Sequence, residues 1–231
     1  MSTNDSSTSR SLEVWEDIYQ AGHTQRYPWD IVVSFVFRNA PKGKPRNEVK
    51  ILEVGFGTGS NLWFAAREGF SVAGVEGSET AVEYARKRFA EEGLEGDLRV
   101  GDFTQLPFAD EEFDLVVDRE ALTCAGRDAL IKAIAEIRRV LKPGGRFLYN
   151  GYADTHSSYR SGRLDEYDRK TDIDAGTLVG IGPVLFVSRS DIDRLFGQGW
   201  KLLQVQRREW TNMLHPCDDI HAEWAVIAEK T

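Results

Sequence analysis

The chain has 231 residues, 41% of them hydrophobic, enough for one α/β domain with a substantial core. Its 37 acidic residues against 29 lysines and arginines leave a formal charge of −8, which argues against nucleic acid as a partner, because that affinity rests on cationic contacts. The polar start MSTNDSSTSRS is unlike a signal peptide, no apolar run reaches the roughly 20 residues of a membrane span, and Cys124 and Cys217 form no CxxC pair or disulfide framework. These features point to the cytoplasm.

In chain order, residues 1–11 are expected to be a disordered tail, and residues 12–48 two helices and a covering segment. Leu12, Trp15, Ile18 and Tyr19 recur at helical spacing, and DIVVSFVFRNA opens on Asp30 as a plausible N-cap. After the linker APKGKPRNE, residues 49–151 alternate strand and helix. Strands are predicted at 49–54, 70–76, 97–101, 113–118 and 145–151, with helices at 60–69, 79–92 and 127–141, the rhythm of a parallel, doubly wound sheet. Residues 152–186 break it, being rich in Tyr, Arg, Asp, Ser and Gly; such a long insertion is usually functional or mobile, and closure over a substrate is expected of it. Residues 187–231 supply a last helix, with Ser190 as N-cap and Gly197 as stop, then WKLLQVQRREW and HAEWAVIAEK, which alternate as an antiparallel hairpin would. The expected fold is a single α/β domain with a mostly parallel seven-stranded sheet and helices on both faces.

ILEVGFGTGSN is the most informative stretch. An apolar strand runs through Glu53 into Gly55, Gly57 and Gly59, and Asn61 lies in the helix that follows. Glycines there let the chain turn sharply and approach a ligand, while the first helical N–H groups stay free to bind it. The dinucleotide fingerprint wants glycine or alanine where Ser60 stands, and the third glycine falls one residue earlier at Gly59, which weakens an NAD reading. The next strand ends in Glu76, Gly77 and Ser78, with Glu76 placed for ribose hydroxyls. Asp102 follows the third strand, suited to an exocyclic amine, with Phe103 beside it to pack on a ring, and Asp118, Arg119 and Glu120 end the fourth. All of these reach the carboxyl edge, where open α/β sheets bind ligands. Pro143, Gly144 and Gly145 then form a turn into the fifth strand.

These ordered motifs over residues 49–150 resemble those of the class I (Rossmann-like) S-adenosylmethionine-dependent methyltransferases. The resemblance implies S-adenosylmethionine as cofactor, with S-adenosylhomocysteine as product. It places Gly55, Gly57 and Gly59 at the amino-acid end, Glu76 at the ribose, Asp102 and Phe103 at the adenine and Asp118 on the methionine side. Tyr27 and Trp29 are read as a lid over the donor, since a sulfonium favours aromatic faces; alternatively they dock a helix on the sheet. Candidate acceptor contacts are Glu120, Tyr152, Tyr159 and Arg160, with Arg163 and Arg169 as possible partners for an anionic or hydroxylated acceptor.

His156 or His215 is a candidate base for a hydroxyl acceptor. HPCDDIHAE has no standard metal spacing, so no metal is expected. The expected activity is methyl transfer to an O or N atom of a small polar metabolite (a sugar, natural product or nucleotide-linked intermediate), by a monomer or homodimer. A protein or peptide methyltransferase and a catalytically silent cofactor-binding subunit are the alternatives.

Overall fold

The computed structural model describes residues 6–214 and 219–231, with side chains from Arg10 onward. Strands β1 (Lys50–Val54), β2 (Ser71–Glu76), β3 (Asp97–Val100), β4 (Phe113–Arg119), β5 (Leu141–Tyr152), β8 (Trp200–Thr211) and β9 (Ile220–Lys230) form one seven-stranded sheet in the order β3-β2-β1-β4-β5-β9-β8. The first five are parallel and β9 and β8 antiparallel, as the sequence predicts. The chain runs outward from β1 to β3, then returns to β4 on the other side of β1. The carboxyl ends of β1 and β4 thereby open a crevice at the switch point.

The sheet is buried on both faces, which explains why its central strands read as continuous apolar runs. Leu52, Val54, Val116 and Phe147 pack against α5 (Arg127–Val140) and α6 (Arg189–Leu195). Ile51, Leu115, Val117 and Leu148 face α2 (Asp30–Asn39), α3 (Ser60–Arg67) and α4 (Glu79–Glu91). In α5, Leu130, Ala133, Ile134 and Ile137 follow the three-and-four spacing that puts one stripe into the core.

Three local expectations are corrected. The first helix, α1 (Ser6–Gln20), begins well before residue 12: the expected tail contributes Arg10 and Ser11 to it, while residues 1–5 lie outside the described residues. The N-cap of α6 is Ser188 rather than Ser190, because Ser188 closes a capping box with Asp191. Lys142 to Gly145 form no separate turn but a bulge within β5, where the register on β4 shifts between Phe113 and Leu115 and Gly144 takes φ 74°.

The 152–186 insertion carries its own small core of Tyr152, Ile173, Leu178, Val184 and Phe186, and a short hairpin of β6 (Arg163–Leu164) and β7 (Lys170–Thr171). Arg169, buried, binds Asp165 Oδ2 at 2.9 Å and reaches Ser11 Oγ and the Cys124 carbonyl, each at 3.1 Å. The insertion is thus tied to α1 and to the segment after β4.

Candidate active site

At the switch point lies a cavity of about 650 Å³. Its floor is the loop after β1. Gly55, Gly57 and Gly59 have φ of 63°, 53° and 77°, a region other residues enter only with strain. Close approach matters as well: a β-carbon on Gly57 would stand 2.7 Å from Tyr19 Oη, and one on Gly59 3.0 Å from Ala85 Cβ. Glu76 holds the cradle, its carboxylate accepting from Gly57 N at 2.8 Å and Ser78 N at 2.9 Å. Burial raises the Glu76 carboxyl above its ordinary range, against the lowering effect of these N–H donors.

Beside it, Glu53 Oε1 accepts from Asn61 Nδ2 at 2.7 Å, and Asn61 Oδ1 accepts from Trp29 N at 3.0 Å, linking the floor to the segment before α2. Glu53 and Asp118 are both pushed up to about 8, chiefly by burial. Glu53 Oε2 and Asp118 Oδ2 are buried with no hydrogen-bond partner. Asp102 and Phe103 line the far end, with Asp102 Oδ1 accepting from Thr104 N at 2.7 Å.

The roof is α1. Leu12, Trp15, Tyr19 and His23 line the cavity, with Trp15 and Tyr19 ring centroids 5.7 Å apart and Tyr19 and His23 6.0 Å apart. Trp15 Nε1 donates to Cys124 Sγ at 3.2 Å, and Ser78 Oγ donates to Glu16 Oε2 at 2.5 Å. The helical spacing of Leu12, Trp15 and Tyr19 was the signal for this role, but it could not distinguish a roof from a helix docked elsewhere. Thr123, Cys124 and Ile181 had no sequence signal as lining residues.

Immediately after β4, Glu120 takes φ 62°, a strained conformation for a non-glycine residue. Tyr152 Oη donates to Glu120 Oε2 at 2.7 Å, and Arg119 pairs with Glu120 through Nη1. The Arg119 guanidinium also lies over the Trp29 ring at 4.1 Å, with Nη2 3.9 Å from Glu223 Oε2. Oxygen and nitrogen atoms of Glu120, His221 and Glu223 come within 4.8 Å of one another, a set that sequence spacing did not suggest. Arg119, paired with Glu120 and beside Glu223, already brings a cation to these carboxylates.

The structure gathers most of the predicted cofactor residues at the cavity and moves several others away. Asp118 is fully buried behind the wall and caps the next segment by accepting from Leu122 N at 3.0 Å. Gly59 and Ser78 shape the loop and the α4 N-terminus without lining the cavity. Tyr27 is also outside the lining, 64% exposed.

Of the acceptor candidates, Tyr152 lines the cavity; Tyr159 packs on Phe186, and Arg160 is exposed outside it. His156 is corrected as a base. Its Nδ1 accepts from Ser158 N at 3.0 Å, Thr177 Oγ1 sits 3.1 Å from its Nε2 and 2.8 Å from His221 Nδ1, and the buried ring belongs to the insertion's packing. Burial, with His221 alongside, pushes it down to about 4. His215 lies outside the described residues.

A parallel sheet reversed after its third strand, a glycine loop with carboxylates at the ends of β1, β2 and β4, and a final antiparallel pair together define the class I S-adenosylmethionine-dependent methyltransferase fold. Comparison with known proteins agrees: residues 51–145 match a methyltransferase domain family, and the chain has the fold of this class. It is 38% identical over 101 residues to the methyltransferase GfsG of Streptomyces halstedii, covering 42% of this chain and 35% of that one. It is 31% identical over 153 residues to the phthiotriol/phenolphthiotriol dimycocerosates methyltransferase of Mycobacterium leprae, covering 63% and 55%. A SAM-dependent methyltransferase structure from Methanosarcina mazei superposes with a TM-score of 0.67 at 19% identity, covering 88% of this chain and 98% of that one. The chain thus spans about a third to just over half of the length of these curated relatives.

Proposed function

We propose that this chain transfers the methyl group of S-adenosylmethionine to an oxygen or nitrogen atom of a small polar metabolite, leaving S-adenosylhomocysteine. The observation that carries the reading is a glycine cradle held by Glu76 beside a buried carboxylate oxygen without a partner, Glu53 Oε2. A buried carboxylate raised to about 8 calls for a cation, and the donor's ammonium answers that need at Glu53. Glu76 would hold the ribose, Asp102 and Phe103 the adenine, and Gly55 and Gly57 would admit the amino-acid end. When bound, the donor supplies a methyl group activated by its positive sulfur.

The chain's own part is to orient and exclude. Asn61 fixes Glu53, while Trp15 and Tyr19 on α1 close the cavity against water, conditions under which positioning alone accounts for much of the acceleration of a displacement. This roof suits a small molecule better than a protein segment. No helix among the described residues is long and apolar enough to cross a membrane.

Calorimetric titration with S-adenosylmethionine, S-adenosylhomocysteine and NAD tests the reading, with Glu76→Ala and Asp102→Ala as comparisons. The first two ligands are expected to bind wild type and to weaken at least about tenfold in each variant, a loss of 1.4 kcal/mol or more. Binding of NAD alone would overturn the assignment.

A further inference from the structure

We propose that the acceptor carries a basic amine, and that Glu120, with the aromatic rings of Tyr19 and Tyr152 in the same cavity, is the site that receives it. This rests on the methyl-donor reading above and adds the charge of the acceptor.

Charge is the first support. The cavity is lined by the carboxylates of Glu53, Glu76, Asp102 and Glu120, and among the described residues Arg119 is the single lysine or arginine in its wall. In that reading the donor takes the first three acids; Glu120 shares the guanidinium of Arg119 with Glu223, so two carboxylates face one cation. Arg119 offers little to an anionic acceptor, since Glu120 and Glu223 flank it and Trp29 covers its face. The arginines of the insertion do not change this balance. Arg160 and Arg163 are exposed outside the lining, with Arg163 paired to Asp172, and Arg169 is buried on Asp165 and Ser11.

The second support is the care with which Glu120 is held. Its left-handed backbone is strained, yet its N–H is anchored on the Asn150 carbonyl at 2.9 Å and its carboxylate on Tyr152 Oη. Such strain is kept where a side chain must face a particular way. Third, aromatic faces attract cations through their quadrupoles, and a carboxylate among them adds the opposite charge an ammonium needs.

The test titrates protein loaded with S-adenosylhomocysteine, whose sulfur is uncharged, with choline, with its neutral carbon isostere 3,3-dimethylbutan-1-ol and with the anion 3,3-dimethylbutanoate. Choline is expected to bind saturably and at least about tenfold more tightly than the alcohol, and the anion not to bind. Glu120→Gln is expected to weaken choline about tenfold, while Glu120→Asp, which keeps the charge and tolerates a left-handed backbone, retains it. Retained S-adenosylhomocysteine affinity in both variants reports an intact fold.

Equal binding of choline and alcohol, preference for the anion, no saturable choline binding, or unchanged choline binding in Glu120→Gln would each overturn the amine site. So would a Glu120→Gln variant that binds S-adenosylmethionine more weakly but S-adenosylhomocysteine normally, since Glu120 would then be reading the donor's charge. The same probes are titrated into the protein alone. Choline preference in a chain that binds no S-adenosylhomocysteine would keep the amine site and remove only the donor reading.

Discussion

On the floor of the cavity the interacting groups lie close in sequence: Gly57 and Glu76 are 19 positions apart, Asn61 and Glu53 only 8. On its roof Ser11 bonds to the carbonyl of Cys124, 113 positions away, and to Arg169, 158 away. The floor is made by backbone geometry, with glycines at positive φ and N–H groups aimed at a carboxylate. The roof is made by side-chain packing between segments that have no local reason to meet. A floor of this kind should be intolerant of single atoms, whereas a roof of this kind should loosen while the floor stays in place.

Gly55→Ala should have the largest effect. The added carbon meets the Ala121 side chain and must adopt φ 63°, so a loss of about 3 kcal/mol in urea unfolding is expected. A loss under about 1 kcal/mol would break the view that backbone geometry builds the floor.

Arg169→Met should cost about 2 kcal/mol, because it removes the cation from a buried pair with Asp165. Its signature is local: hydrogen exchange should rise in residues 10–20 and stay unchanged in 50–76. Equal loosening of both segments would join roof and floor into one cooperative unit.

Smaller still, acid by acid, is a pH effect from the floor. Glu53 and Asp118 rise in the fold to about 8 from ordinary values of 4.5 and 3.8, so the native state keeps protons that the unfolded chain releases. Their contribution is fully present below the unfolded values and is lost as pH rises through about 8. His156 acts oppositely, stabilising above 6.5 and losing its contribution as pH falls through about 4, so the measurement belongs between pH 6.5 and 8. Unfolding free energy of the ligand-free protein should decline there by up to about 1.4 kcal/mol per pH unit for each acid that keeps its proton, and Glu53→Gln should remove one such share of the slope. A slope unaltered by that change would remove Glu53 from the account.

The smallest effect is expected of Tyr27→Ala. The ring is 64% exposed and outside the lining, so stability should move by less than about 0.5 kcal/mol and donor affinity by less than about twofold. A larger loss of affinity would restore Tyr27 to the lid.

The predicted residues that the structure brings to the cavity are mostly those whose signal was local. Gly55, Gly57, Glu76 and Asp102 announce themselves by their place at strand ends. Misreadings arose where long-range contacts decide. His156 has the chemistry of a base but is engaged by Ser158 and Thr177. Asp118 has the right position in the chain, but its free oxygen is shut behind the wall. Ser188, two residues before the expected cap, won because its side chain and that of Asp191 satisfy each other's backbone N–H groups.

What the sequence determined by itself was the doubly wound order and the cofactor edge, because strand periodicity and glycine placement act over a few residues and need no partner from afar. The tertiary structure decided which aromatics form the roof and which arginine is neutralised. Those outcomes depend on the pairing of β9 with β5, which brings Glu223 beside Tyr152, and on Arg169 drawing α1 over the cavity. A side chain's charge is written in the sequence, but what compensates that charge is settled only when the chain closes on itself.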